Sequence, residues 1–304
     1  MKRFFKYTIP SIISMWVFAL YTMIDAFFVA NYVGENEFSA INISMPVLTS
    51  FFAIGILFSI GTQARAGFYL GRGDDQRAKK IFTTSFISLI IVGLLYSLLI
   101  FVFLGTTVHF LGAREFTESA VRTYLLAVLP FGVFFMSTYQ LEVLTRLDGF
   151  PNIAALSVLT AAVTNLILDY VFIVPLGMGV LGAGLATGIA QVVSTLLLLC
   201  HFARKRGRLW LVREINPREL KKVLPLGVGD AISEVSIGYT VFLFNTTIYR
   251  VLGQEGIIVY TVISYISIFA QVTMTGVAQG LAPLFSYDYG RRETKKIKQS
   301  FLGG

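Results

Sequence analysis

Long apolar segments recur along the whole chain and are separated by short polar stretches. About 20 apolar residues, at a helical rise of about 1.5 Å per residue, are enough to cross the hydrocarbon core of a bilayer. The pattern therefore predicts eight membrane-spanning helices. Their approximate limits are 8–32, 42–70, 82–105, 120–145, 152–175, 181–203, 223–250 and 258–288.

The composition indicates an all-α, polytopic membrane protein. Of the 304 residues, 55% are hydrophobic and 14% are charged, and the mean hydropathy is +0.73. These values are more apolar and less charged than those of a soluble domain. The chain has one cysteine and no Ser/His/Asp or Cys/His set at a common membrane depth, so we expect neither an enzyme nor a disulfide framework.

The basic residues are distributed unevenly between the two predicted sides of the membrane. If the N-terminus is cytoplasmic, the outer side holds only Arg114, Arg122 and Arg250. Arg65 lies within the second span, and all other lysines and arginines are on the cytoplasmic side. This distribution predicts cytoplasmic termini in a bacterial inner membrane. The net charge of +8 then indicates contact with anionic lipid rather than with nucleic acid.

The parts of the chain before and after the basic segment 204–222 have similar sequence features. Pro10 and Pro225 begin comparable helices, and Gly71 and Gly290 lie at comparable basic turns with a nearly constant offset. Such a repeat is typical of duplicated transporter lobes. Only two helices of the second copy are present, so we expect the chain to be truncated after the eighth helix. The predicted organisation is a six-helix lobe at 1–203, a cytoplasmic linker at 204–222 and the start of a second lobe at 223–304.

Two aspartates lie inside predicted spans, Asp25 in the first and Asp169 in the fifth. A carboxylate inside the membrane costs at least a few kcal/mol and typically marks an ion or substrate pathway. Counting from the span ends places both aspartates, with Asn165 and Thr187, in the outer half of the membrane at nearly one depth. Tyr21 shares a helix face with Asp25, and Asn165 shares one with Asp169.

This set of oxygen ligands suits either of two ions. Two neighbouring carboxylates repel each other and can hold a shared proton. With the amide of Asn165 and the hydroxyl of Thr187 they would also suit Na⁺, a hard cation. The sequence leaves H⁺ and Na⁺ open, and it also leaves open a structural role for Asp25 and Asp169 as hydrogen-bond anchors between helices.

Two further polar features have structural interpretations. Glu142 and Arg146 are four residues apart at the inner end of the fourth span, and this spacing favours a structural ion pair. The Gly71-Arg72-Gly73-Asp74 segment ends the second span, which favours a helix stop over a gate between lobes.

Taken in order, several motifs resemble those of multidrug and toxic compound extrusion transporters, the MATE family. The resemblance spans the whole chain and about two thirds of a family member. The residues that carry it are Pro10, Tyr21, Asp25, Gly34, Pro46, Gln63-Ala64-Arg65, Gly71-Arg72-Gly73-Asp74, Asn165-Leu166-Ile167-Leu168-Asp169, Gly179, Gly182-Ala183-Gly184, Ala186-Thr187, Pro225-Leu226-Gly227 and Glu234.

The resemblance implies a secondary antiporter that expels amphipathic, often cationic organic compounds in exchange for H⁺ or Na⁺. It implies rocking of two six-helix lobes, a cation-coupling cluster and a second-lobe acid for coupling or drug binding. We expect small organic substrates, contact with membrane lipid, a monomer, and no cofactor or metal beyond the coupling ion. The implied cluster is Tyr21, Asp25, Asn165, Asp169 and Thr187, and the second-lobe acid is Glu234.

Two alternatives remain. A flippase of lipid-linked oligosaccharide or peptidoglycan precursor would place several arginines or lysines in its cavity for pyrophosphate, whereas only Arg65 is intramembrane here. A receptor or another non-transporting membrane protein would need neither the repeat nor the two aspartates at one depth.

Overall fold

The computed structural model describes residues 2–113 and 115–293, and within this part of the chain all regular structure is helical. The prediction of an all-α polytopic membrane protein is confirmed. The helices are α1 (Lys2–Tyr32), α2 (Glu35–Gly71), α3 (Asp75–Val102), α4 (Leu104–Phe110), α5 (Glu115–Val128), α6 (Gly132–Leu147), α7 (Pro151–Ile173), α8 (Gly179–Ala203) and α9 (Leu220–Gly290).

Seven segments of the described chain are long and apolar enough to cross a membrane. They match the first six predicted spans and the eighth. The predicted seventh span, 223–250, is helical but is not among the seven, so its membrane crossing stays a prediction. The matched segments are Arg3–Tyr32, Glu37–Gly71, Asp75–Val102, Phe116–Leu147, Pro151–Ile173, Gly179–Ala203 and Ser267–Gly290.

The predicted fourth span, 120–145, is confirmed as part of the segment Phe116–Leu147, but the helix within it is interrupted. One turn of 3₁₀ helix, Leu129–Phe131, separates α5 from α6. Pro130 lies in this turn and has no N–H to donate to the preceding helical turn. A side chain at Gly132 would collide with Ser97 and with the ring of Phe51, so the close packing after the break requires glycine.

The connection from α2 to α3 is a helix stop followed by a new helix. Gly73 adopts a φ of +81°, a conformation that glycine tolerates without strain. The side chain of Asp74 accepts a 3.0 Å hydrogen bond from the backbone N–H of Arg77, which caps the start of α3. The helix-stop interpretation of Gly71-Arg72-Gly73-Asp74 is therefore confirmed.

Helix α9 turns back on itself, although it is helical over 71 residues from Leu220 to Gly290. A straight helix of that length would extend about 106 Å at a rise of about 1.5 Å per residue. Instead, both of its ends lie on the same part of α2. The backbone of Gly61 lies against the carbonyl of Val223, and that of Gly290 against the carbonyl of Phe68. The first arm of α9 contains the predicted seventh helix, 223–250, and the second arm contains the predicted eighth helix, 258–288.

The basic linker packs on one end of the helix bundle. The carboxylate of Asp148 accepts hydrogen bonds from the backbone N–H groups of Arg208, at 2.6 Å, and Leu209, at 2.8 Å. The ammonium group of Lys79 lies 3.1 Å from the centroid of the Trp210 ring. These contacts attach the linker to α3 and to the segment between α6 and α7.

Candidate functional site

The two intramembrane aspartates meet between α1 and α7. The carboxyl groups of Asp25 and Asp169 lie within hydrogen-bonding reach of each other. Asp169 is 0% exposed. Within the described residues, both of its oxygens and Oδ1 of Asp25 are buried without a donor. Since buried carboxylate oxygens need a donor or a cation, this pair is arranged to take a shared proton or a positive ion.

Two tyrosines complete the polar surroundings of this pair. Tyr21, one helical turn before Asp25, lies near both aspartates. Tyr124 of α5 also lies close to both aspartates and to Tyr21, and it is 3% exposed. Tyr124 was not among the residues predicted from the sequence. Its approach depends on the packing of α5 against α8, where a Cβ at Gly184 would lie 2.7 Å from Cβ of Ala127 and 3.4 Å from the Tyr124 ring.

Asn165 and Thr187 differ in how closely they join this cluster. Asn165 lies one turn before Asp169 on the buried face of α7, is 2% exposed, and has an unpaired amide nitrogen within the described residues. The half-buried hydroxyl of Thr187 donates instead to the carbonyl of Ala183, at 2.9 Å. In the described part of the chain, no hydrogen bond joins Thr187 to either aspartate, so its part in ion binding stays a prediction.

A cavity of about 210 Å³ lies beside the aspartate cluster. Tyr21 lines it and also lies close to both aspartates, so the two features share a wall. Glu234 lines the same cavity from the first arm of α9. The predicted second-lobe acid therefore faces the space bounded by the first helices rather than a separate pocket. The aromatic residues of the wall are Phe18, Tyr21, Phe52, Phe135 and Tyr139.

Glu142 lines this cavity too and forms an ion pair with Arg146, as its spacing predicted. The described residues contain no group of three or more His, Cys, Asp or Glu side chains placed to hold a metal ion. A cation at Asp25 and Asp169 would instead be held by two carboxylates, with amide and hydroxyl oxygens as further ligands.

The fold and the paired aspartates can now be compared with known proteins. The family model MatE matches residues 10–171. The chain belongs to the MatE family. This confirms the resemblance to the MATE family.

Two curated relatives within the family carry the name multidrug export protein MepA. The one from Staphylococcus saprophyticus is 24% identical over 291 residues, and the match covers 95% of this chain. The one from Staphylococcus aureus strain MSSA476 is 23% identical over the same length. The chain spans 64% of the length of either relative.

Solved MATE structures share the fold. A structure described as MATE in complex with MaD3S superposes with a TM-score of 0.93 at 24% identity. The match covers 99% of this chain and 68% of the MATE chain in that structure. An outward-facing multidrug resistance MATE transporter gives a TM-score of 0.91 at 23% identity, covering 99% and 67%. A third structure is described as a MOP superfamily transporter from Pyrococcus furiosus with reverse polarity of the binding pocket. It gives a TM-score of 0.91 at 23% identity, and the match covers 99% of this chain and 67% of the P. furiosus chain.

Proposed function

We propose that this MatE chain forms part of a secondary antiporter in a bacterial inner membrane, with both termini in the cytoplasm. It exports amphipathic, often cationic organic compounds in exchange for inward flow of H⁺ or Na⁺. The observation that carries the proposal is the pair Asp25 and Asp169, in which both oxygens of Asp169 and Oδ1 of Asp25 are buried without a donor among the described residues. The names of the MepA relatives support multidrug export as the transport activity.

Coupling between ion and substrate is proposed to act through α1. This helix carries Asp25 at the ion cluster, and Met15, Phe18 and Tyr21 of the same helix line the cavity. An ion that relieves the repulsion between Asp25 and Asp169 lets α1 settle closer to α7. A shift of α1 then alters the cavity wall, which changes the affinity for substrate. The coupling is a difference in affinity between two states.

Gradient-driven efflux in everted membrane vesicles that contain the product of the complete gene tests the proposal. An imposed H⁺ or Na⁺ gradient should drive export of a fluorescent organic cation, and one of the two gradients should suffice. Asp25→Asn and Asp169→Asn should each abolish the response to the gradient. Glu214→Gln is the matched control, because Glu214 lies on the linker, is 71% exposed in its side chain and pairs with Lys80 of α3. Full coupling in both aspartate variants would refute the proposal.

The flippase alternative is disfavoured by the charge of the cavity. Its charged lining residues within the described chain are Glu142 and Glu234, and none is a lysine or arginine. A pyrophosphate group would be repelled by such a wall. Translocation of a lipid-linked precursor in proteoliposomes, with no efflux of organic cations, would favour the flippase instead.

A further inference from the structure

The ion pair of Glu142 and Arg146 has one end on the cavity and one end behind its wall. Glu142 lines the cavity, whereas Arg146 does not. The side chains are 14% and 2% exposed, respectively. Nε of Arg146 has no partner among the described residues, so the guanidinium is committed to Glu142 and its own buried surroundings. A purely structural pair would not need to present its carboxylate to a cavity.

A second carboxylate faces Glu142 from a different part of the chain. Glu234, on the first arm of α9, lines the same cavity and has no ion pair within the described residues. Tyr139 also lines the cavity and lies near Glu142, Glu234 and Asp230. Asp230 is exposed one turn before Glu234 and is not part of the lining.

The cavity also presents a buried amide oxygen that has no donor. Oε1 of Gln279, on the second arm of α9, is buried and lacks a donor within the described residues. Gln191 of α8 lines the same cavity and is 7% exposed. Buried polar groups without a partner cost free energy unless a ligand or water satisfies them. This observation is independent of the carboxylates and points to an occupant.

The lining predicts the chemistry of that occupant. Carboxylate and amide oxygens attract a positive charge, and the faces of aromatic rings such as Tyr21 and Tyr139 also favour cations over neutral groups. The volume of about 210 Å³ is below the range of about 300–1,000 Å³ for whole drug-sized ligands. The cavity therefore fits an ammonium head group, with the rest of an amphipathic molecule outside it.

We propose that Glu142 is a specificity-determining residue, which together with Glu234 selects a singly charged organic ammonium head group over a neutral group of the same shape. Arg146 neutralises one of the two carboxylates. The cavity lining therefore keeps one uncompensated negative charge, which matches the single positive charge of the head group. The inference rests on the proposed function, because it assumes that substrate enters this cavity.

Binding of two matched probes to the chain in lipid nanodiscs tests this inference. Benzyltrimethylammonium is the cation, and neopentylbenzene is its uncharged carbon isostere, with partition into empty nanodiscs subtracted. The wild type should bind the cation more tightly. Glu142→Gln should weaken cation binding by about tenfold or more, since removing one partner of a buried charge pair is costly, and should leave the neutral probe unchanged. Glu214→Gln is the control for the same chemical change on the linker.

Glu142→Gln leaves Arg146 buried without its carboxylate and can fail to fold for that reason. The double variant Glu142→Gln/Arg146→Met removes the stranded charge together with the carboxylate. It should fold and show a smaller but measurable loss of preference for the cation, because Glu234 still supplies one negative charge while the contact of the head group with Glu142 is gone. An unchanged ratio of the two affinities in the folded variant overturns the role of Glu142, as does a wild type that binds both probes equally.

The two proposals fail in distinguishable ways because the binding assay uses no gradient. Gradient-driven efflux together with an unchanged preference in Glu142→Gln would refute the role of Glu142 alone. The complete gene product could instead show no gradient-driven efflux but still prefer the cation in a way that depends on Glu142. That result would refute the proposed antiport and retain the head-group site.

Discussion

Nε2 of His201 lies 3.0 Å from Oδ2 of Asp148, and both side chains are almost completely buried. The other oxygen of Asp148 accepts the backbone N–H groups of Arg208 and Leu209. One carboxylate therefore joins the end of α8 to the linker. Arg208, positioned by this contact, pairs with Asp75 and lies within 3.3 Å of the hydroxyl of Tyr287.

Asp148→Ala should detach the linker and destabilise the protein. The substitution leaves two backbone N–H groups and one imidazole without an acceptor, and each buried unsatisfied group costs about 1–3 kcal/mol. We expect a lower thermal midpoint and faster trypsin cleavage in the basic segment 204–222. Asp230→Ala, at an exposed aspartate, is the control. Equal melting and cleavage in the two variants would contradict the anchoring role of Asp148.

Close packing of α1 against the second arm of α9 should not tolerate even a methyl group. A Cβ at Gly280 would lie 2.8 Å from Cα of Thr8, and one at Gly276 would lie 2.7 Å from Cα of Ile12. Gly280→Ala should cost about 1–3 kcal/mol, because backbones rather than flexible side chains must move.

Gly229→Ala on the first arm of α9 provides the matched comparison. A Cβ at Gly229 meets nothing within 4 Å, and alanine favours a helix over glycine by up to about 1 kcal/mol. We therefore expect unchanged or slightly higher stability in chemical unfolding. If Gly280→Ala is as stable as Gly229→Ala, the close helix contact is absent in the membrane.

Attachment of the linker should depend on pH through Glu219. Burial opposes its ionisation, but hydrogen bonds from Arg65, at 2.7 Å, and Arg77, at 3.1 Å, outweigh burial and hold the pKa of Glu219 below its usual value. A carboxyl with a lowered folded-state pKa contributes stability that is complete above its unfolded value of about 4.3 and is lost as the pH falls through the lowered value.

Fluorescence of Trp210 in a Trp16→Phe background can follow this attachment, because the Trp210 ring stacks on Lys79 only when the linker is docked. The signal should be constant above a pH of about 4.3 and should change below it. In Glu219→Gln the undocked signal should appear already at neutral pH. A Glu219→Gln variant with the wild-type pH profile would show that another group controls docking.

Tyr124→Phe should weaken ion binding without changing the fold. The substitution removes one hydroxyl close to Asp25 and Asp169 but keeps the ring that packs at Gly184. We expect the ion concentration for half-maximal gradient-driven efflux to rise severalfold and the melting temperature to stay unchanged. Tyr170→Phe, at an exposed tyrosine of α7, is the control. Equal ion dependence in both variants would exclude Tyr124 from the cluster.

The meeting of Asp25 and Asp169 could be predicted from sequence because membrane depth restricts each residue to one level, and helical spacing restricts its face. Tyr124 could not be found in this way, since its approach depends on how α5 packs against Gly184. The i, i+4 spacing of Glu142 and Arg146 predicted their pairing correctly. It carried no information about which end of the pair faces a cavity, because that depends on the neighbouring helices.

Asp25 and Asp169 should act as one ion site, and infrared difference spectroscopy of the protonated carboxyl stretch can show this. We expect a band from one shared proton that disappears when either a pH rise or added Na⁺ removes that proton. The same band should be missing in Asp25→Asn and in Asp169→Asn and should persist in Glu214→Gln. A band that survives in both aspartate variants, or a wild type without such a band, would show that the two aspartates do not form one ion site.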